Sequence, residues 1–331
     1  MSLIERAVAR LSKDDPADPG AAAGRPTNGT ETTERPSTIE AFADRIAGTA
    51  AAAIAEPARP GSAAAPAAPT SPAVARAPSP PAQLPEPVRI HLESLRAAGF
   101  VTPSGDQTPT FAQFRVIKRP LVNNAFGRQG RPPLHNGKRV MVTSAFPGEG
   151  KSFCAVNLAM SIAAERDHKV ILIDADVARP SLPRILGIDP GTGLLDWLAA
   201  EAPPDVAEIV LPTNVDSLSV VRAGHRHEHA TELLASGAMT KLLDALTTRY
   251  PDSILIFDTP PLLVTTEARV VASFMGQIVM VVEAGKTSRE AVAEALSTIE
   301  SCEVIGLVLN KAQEIESQGY YQGYGYGQGA V

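Results

Sequence analysis

The chain predicts an α/β domain, a mostly parallel sheet with helices on both faces, preceded by a disordered Ala/Pro-rich N-terminal region. Three observations lead there. Short apolar runs recur after about residue 110, and they are doubly apolar, as strands buried on both faces must be. Helical periodicity fills several of the intervals between them. Residues 1–90, by contrast, hold 24 alanines and 14 prolines, with Phe42 the one aromatic residue. Such a stretch buries too little apolar surface to offset the entropy of ordering.

In chain order, Met1–Leu11 places Leu3, Ile4, Ala7, Val8 and Leu11 on one helical face, a short docking helix or a frayed terminus. The remainder of 1–85 reads as a semi-extended linker. Residues 86–127 read as a helical interaction segment: one amphipathic helix over 86–100 through Leu92, Leu95 and Ala98, and a second over 110–118 stopped by Pro120. A domain over 128–313 follows. Its expected strands are Arg139–Thr143, Val170–Ile173, Leu218–Val221, Ile254–Phe257, Gln277–Val282 and Val304–Leu309. Its expected helices are Ser152–Ala164, Thr240–Thr248 and Arg289–Ile299. Residues 314–331 form a Tyr/Gly-rich tail without the makings of a core.

Composition excludes several classes. A net charge of −6 argues against nucleic acid as the main partner, since phosphate backbones require a basic footprint. Two distant cysteines, Cys154 and Cys302, make no disulfide framework and suit a reducing cytosol. No apolar run approaches the ~18–20 residues that span a bilayer. The N-terminus lacks the basic-then-apolar order of a secretion signal. A cytoplasmic protein is expected.

Chemistry concentrates at strand ends, where open α/β sheets bind ligands. Ala145–Ser152, Ala-Phe-Pro-Gly-Glu-Gly-Lys-Ser, fits the phosphate-loop pattern with Ala in place of its first Gly. It lies between an expected strand and an expected helix, as that pattern requires, which predicts a P-loop NTPase fold binding ATP and Mg2+. Pro147, Gly148, Glu149, Gly150, Lys151, Ser152 and Phe153 would surround the nucleotide. The two glycines let backbone N–H groups converge on phosphate oxygens, and the helix adds its positive end. Lys151 would reach the β- and γ-phosphates, and the Ser152 hydroxyl would ligate magnesium. A dinucleotide fingerprint fits poorly, because no further Gly follows three residues after Gly150. Asp174 and Asp176, at the end of Ile171–Asp174, can hold magnesium and accept a proton. Asp258, ending Ile254–Phe257, supplies a second acidic element. His225, His227 and His229 alternate; a metal site is conceivable, but an exposed loop is the expected reading. The tail Gly319–Val331 carries Tyr320, Tyr321, Tyr324 and Tyr326 among five glycines with no charged side chain. It is either a sticky low-complexity tail or a tethered phosphoacceptor cluster.

Pro-Gly-Glu-Gly-Lys-Ser, Asp-Ala-Asp with Arg-Pro, Asp-Thr-Pro-Pro and the Tyr tail together resemble the bacterial tyrosine kinases of exopolysaccharide and capsule biosynthesis. Met-Ser-Leu-Ile-Glu-Arg at the start and Phe114–Gly127 resemble the exosortase-associated autokinase subgroup. The resemblance implies that Asp174 and Asp258 organise magnesium, that Asp176 is the base for a tyrosine hydroxyl, and that Asn310 lies beside adenine. It implies autophosphorylation on Tyr320, Tyr321, Tyr324 and Tyr326. It also implies a separate membrane polysaccharide co-polymerase as activator, a homo-oligomer for transfer in trans, a cognate phosphatase, and a peripheral place at the inner membrane through the partner. The chain departs from the family's pattern twice. Ala178, followed by Arg179, stands where the family has Arg; Ala112, Arg115 and Lys118 stand where its oligomerisation helix has Glu, Arg and Arg. The competing reading is an ATP-hydrolysing or non-catalytic regulator resembling partition ATPases and docking to a membrane polysaccharide complex. Partition ATPases carry a second lysine early in the phosphate loop, where this chain has Phe146.

Overall fold

The computed structural model describes residues 85–312, apart from 104–107, 129, 166 and 300. The reading of Met1–Leu11, most of the Ala/Pro-rich region and the four tail tyrosines lie outside the described residues. The described chain forms α1 (Leu92–Ala97), α2 (Pro109–Phe126), β1 (Arg139–Ser144), α3 (Lys151–Ala163), β2 (Lys169–Asp174), α4 (Leu182–Leu186) and α5 (Leu194–Ala199). There follow a 3-10 turn (Val206–Glu208), β3 (Leu211–Pro212), β4 (Leu218–Val221), α6 (Ala230–Ala235) and α7 (Gly237–Arg249). The last elements are β5 (Ser253–Asp258), α8 (Glu267–Ala272), β6 (Gln277–Glu283), α9 (Arg289–Ser297) and β7 (Val304–Asn310).

The sheet order is β3-β4-β2-β5-β1-β6-β7. Every pairing is parallel except that of the two-residue β3 with β4. Alternation along each strand divides the core in two. Met141, Ile171, Ile173, Leu255 and Phe257 face one side with α5, α7 and α8. Val140, Val142, Val170, Leu172, Ile254 and Ile256 face the other with α1, α2 and α3. Both faces of β1, β2 and β5 are therefore buried, which is why these strands read as continuous apolar runs in sequence.

Two expectations about the helices preceding the sheet need correction. The second helix does not stop at Pro120; α2 runs on to Phe126 and ends at Gly127, whose φ of 77° suits glycine. Proline removes the hydrogen bond to the carbonyl four residues earlier. That carbonyl belongs to Val116, which is 72% exposed, so water can satisfy it. The helix starts where Thr108 accepts a hydrogen bond from Phe111 N and Pro109 occupies the first turn. The first helix is shorter than expected, six residues. Both pack into the core: Leu95, Phe114, Leu121 and Ala125 belong to the cluster around α3. Lys118 is also buried there, donating to the Ser161 carbonyl and pairing with Glu165 at 2.9 Å, while Arg115 stays exposed.

Phe114→Ala leaves a cavity between α2 and the layer beneath it. Truncation of a buried phenylalanine costs about 3–5 kcal/mol, so denaturant unfolding of this variant is expected to show a loss of that order with an unchanged m-value.

Candidate functional site

The site is assembled at the C-terminal ends of β1, β2 and β5, three adjacent parallel strands. Their connections are tied together by main-chain and hydroxyl bonds. Ala175 N donates to Asp258 O at 2.8 Å, and Leu262 N to Ser144 O at 2.8 Å. Thr143 Oγ1 donates to Pro260 O at 2.9 Å and Thr259 Oγ1 to Val142 O at 3.0 Å. Asp174 and Asp258 face each other in register across β2 and β5. The adjacency of the two acidic strand ends thus follows from sheet register and not from side-chain mobility.

Between β1 and α3 the loop Ala145–Gly150 curls with Gly148 at φ 87° and Gly150 at φ 99°. At Gly150 the φ of 99° strains any residue with a side chain, and an added Cβ would lie 2.0 Å from the Asn310 amide and displace it. Glu149 is 2% exposed, and its carboxylate turns into the protein. It accepts from Phe146 N at 2.7 Å and from the Thr287 hydroxyl. Only the backbone of Glu149 remains to serve a ligand. Pro147 lies on the exposed side of the loop.

Lys151 Nζ stands 2.7 Å from Asp176 and 3.9 Å from Asp258. Ser152 Oγ accepts a hydrogen bond from Ser181, whose hydroxyl also lies 3.3 Å from Asp258 Oδ2. Asp174 Oδ2 accepts from Ser181 N and Leu182 N, both at 3.0 Å. Lys151, Ser152, Asp174, Asp176 and Asp258, named from the sequence, therefore converge. Ser181, which no sequence pattern singled out, sits among them. Arg179 is exposed, its N donating to Asp176 Oδ1 at 3.2 Å; Ala178 is exposed beside it.

The residues fit a magnesium nucleotide. Asp174 Oδ1 and Asp258 Oδ1 are buried without a hydrogen-bond partner, and buried polar atoms ordinarily have one. Among the described residues no group of three or more His, Cys, Asp and Glu is arranged to hold a metal. Magnesium suits such a place because it takes one or two carboxylates, a hydroxyl, waters and substrate phosphates, not a full protein cage.

Beside the loop, a cavity of about 560 Å3 opens between α2, the start of α3 and the end of β7. Phe153 and Asn310, both named from the sequence, line it with Ile117, Val308 and Leu309. The tail tyrosines lie outside the described residues. The histidine segment is elsewhere: His225 Nδ1 is 2.8 Å from Asp196 Oδ1, and the rings of His227 and His229 are 5.9 Å apart.

Burial raises Asp174 to about 7, helped by the nearby charge of Asp258 and opposed by the N–H groups of Leu182 and Ser181. Burial also raises Asp258, to about 6, against Lys151 and hydrogen bonds from Ser152 and Ser181. Burial alone would lower Lys151, but Asp258 and Asp176 outweigh it and keep the ammonium charged above its usual range. Because the folded Asp174 holds its proton more tightly than the unfolded one, the ligand-free fold loses stability as pH rises from about 4 to about 7. Asp174→Asn is expected to flatten that segment of a stability-against-pH curve and to raise ligand-free stability at pH 8, read by denaturant unfolding.

Comparison with known proteins gives the family of the chain. The profile of the ParA family, described as NUBPL iron-transfer P-loop NTPase, matches residues 136–330. Tyrosine-protein kinase YwqD of Bacillus subtilis (strain 168) is 34% identical over 213 residues, 63% of this chain and 85% of that protein. Tyrosine-protein kinase CpsD of Streptococcus agalactiae is 34% identical over 193 residues, 57% of this chain and 82% of that protein. The crystal structure of the chimerical protein CapA2B2 is similar at 25% identity and a TM-score of 0.53, covering 68% of this chain and 94% of that one. The chain belongs to the ParA-type P-loop NTPases and, among them, to the bacterial tyrosine-protein kinases.

Proposed function

We propose that this chain is an ATP- and magnesium-dependent protein-tyrosine autokinase acting on its own C-terminal tyrosines, and that it regulates exopolysaccharide production. The observation that carries the reading is the grouping of one ammonium, Lys151, with Asp174, Asp176 and Asp258 directly beneath a phosphate-type loop. The kinase names of YwqD and CpsD support the same assignment. Ser152, Asp174 and Asp258 would hold magnesium; Asn310 and Phe153 would border the base. The bound metal would neutralise phosphate charge and orient the nucleotide.

Lys151 now neutralises Asp176. With a nucleotide present, Lys151 would turn to the β- and γ-phosphate oxygens, freeing an Asp176 carboxylate oxygen. Asp176 would then take the phenolic proton of a tyrosine. A phenol of pKa about 10 is protonated at neutral pH, so a placed acceptor matters. The phenolic oxygen forms the new bond to the γ-phosphorus, the bond from that phosphorus to the bridging oxygen breaks, and ADP leaves with that oxygen. Asp174 and Asp258 would stay in place through the transfer, held by the strand register.

Among the described residues no helix is long and apolar enough to cross a membrane. A separate membrane polysaccharide co-polymerase would bring the chain to the inner membrane and activate it. A homo-oligomer would present one tail to a neighbour, and a phosphatase would reverse the reaction. The expected segments are a linker and docking helix over 1–85, a helical segment over 86–127, a kinase domain over 128–313 and a substrate tail over 314–331. Phosphates on its tyrosines would turn Gly319–Val331, which has no charged side chain, strongly anionic.

Purified protein incubated with ATP and magnesium is expected to gain phosphate on Tyr320, Tyr321, Tyr324 or Tyr326 by mass spectrometry, and Lys151→Met is expected to gain none. Hydrolysis of ATP without any phosphotyrosine, even with the membrane partner present, would instead support an ATP-dependent docking regulator. Ala178, in place of the family's Arg, is the feature that favours that second reading.

A further inference from the structure

The phosphate loop is held from behind by two consecutive side chains at the end of β7. Asn310 Nδ2 donates to the Glu149 carbonyl at 2.8 Å. Lys311 Nζ donates to the Gly148 carbonyl at 2.7 Å. These are adjacent carbonyls of the loop, and in a planar trans peptide the C=O and the following N–H point in opposite directions. Fixing the carbonyls of Gly148 and Glu149 outward therefore turns the N–H groups of Glu149 and Gly150 to the inner side. Neither N–H makes a backbone hydrogen bond among the described residues. Successive N–H groups presented this way form an anion-binding concavity.

Lys311 is distinguished by its backbone and by a second ionic contact. Its φ is 57°, one of two positive values among non-glycine described residues; a side chain there is uncommon and costs conformational energy. Its ammonium, on a half-exposed side chain, is also paired with Glu283 Oε1 at 3.2 Å, and the Glu283 side chain is 13% exposed. Glu283 ends β6, so the brace joins the ends of two strands to the loop. The buried Glu149 carboxylate ties the same loop to Thr287, whose hydroxyl in turn accepts from Glu283 N at 3.3 Å.

We propose that Lys311, together with Asn310, is a positioning residue that pre-aims the Glu149 and Gly150 N–H groups at the nucleotide's phosphates. The proposal rests on the nucleotide reading above. It also gives Asn310 a second role, toward the loop, besides the adenine side. Lys311 touches no reacting atom; it acts through the two peptide planes. Pre-organised donors bind developing or resident anionic charge without reorganising when the ligand arrives.

The test is MgADP titration of the full chain by calorimetry, with amide spectra of the 15N-labelled protein. Lys311→Met is expected to weaken MgADP about tenfold, the scale of one lost charged hydrogen bond. Lys311→Arg, which keeps a cationic donor, is expected to restore most of the affinity. In wild type the Glu149 and Gly150 amide resonances should move downfield on MgADP addition, and in Lys311→Met that movement should shrink. MgADP affinity in Lys311→Met within about twofold of wild type, with unchanged amide shifts, overturns the proposal. Equal losses in the Met and Arg variants, each with a lowered ligand-free melting temperature, overturn it as well, because Lys311 would then serve the fold alone. Failure of the wild type itself to bind MgADP overturns the nucleotide reading, a distinct result.

Discussion

One ammonium among three carboxylates governs this structure. Lys151 Nζ contacts Asp176 and approaches Asp258, and Asp174 stands across from Asp258 in sheet register. Burying carboxylates is costly unless each is paired or hydrogen-bonded. Lys151 cannot hydrogen-bond all three, and Asp174 Oδ1 and Asp258 Oδ1 stay without a hydrogen-bond partner. The consequence is visible in their titration: burial holds Asp174 and Asp258 well above the usual carboxylate range. The site as folded is short of positive charge. A divalent metal ion supplies that charge, and this deficit, more than any single contact, argues that the cleft is built to take a metal ion beside its phosphate-type loop.

The rest of the fold serves to hold those charges where water would otherwise screen them. β1, β2 and β5 are buried on both faces, so their ends cannot shift without disturbing two cores. The connection after β5 is stitched to β1 through Thr143, Thr259 and Leu262. The loop is stitched to the ends of β6 and β7 through Glu149, Asn310 and Lys311. Each tie removes freedom before a ligand arrives, and binding then costs less.

The strands were legible because parallel strands covered on both sides must be continuously apolar, as in Ile171–Ile173 and Ile254–Phe257. The phosphate loop was legible because backbone chemistry restricts its residues: Gly148 and Gly150 take positive φ values that residues with side chains rarely adopt. What was not legible is short or solitary. α4, α5, α6 and α8 have five or six residues each, too few to show a helical period. Pro120 misled because its effect depends on whether the freed carbonyl meets water, which tertiary structure decides. Ser181, Thr287 and Lys311 carry no spacing signal; each matters only because the fold brings it to a loop distant in sequence.

The most direct test is a crystal structure with manganese in place of magnesium and a non-hydrolysable ATP analogue, using anomalous scattering to find the metal. Phosphates are expected within the 145–152 loop and a metal peak against the Ser152 hydroxyl, on the side of Asp174 and Asp258. Nucleotide lodged elsewhere on the chain, or a metal peak remote from Ser152 and these two aspartates, would contradict this assignment of the site.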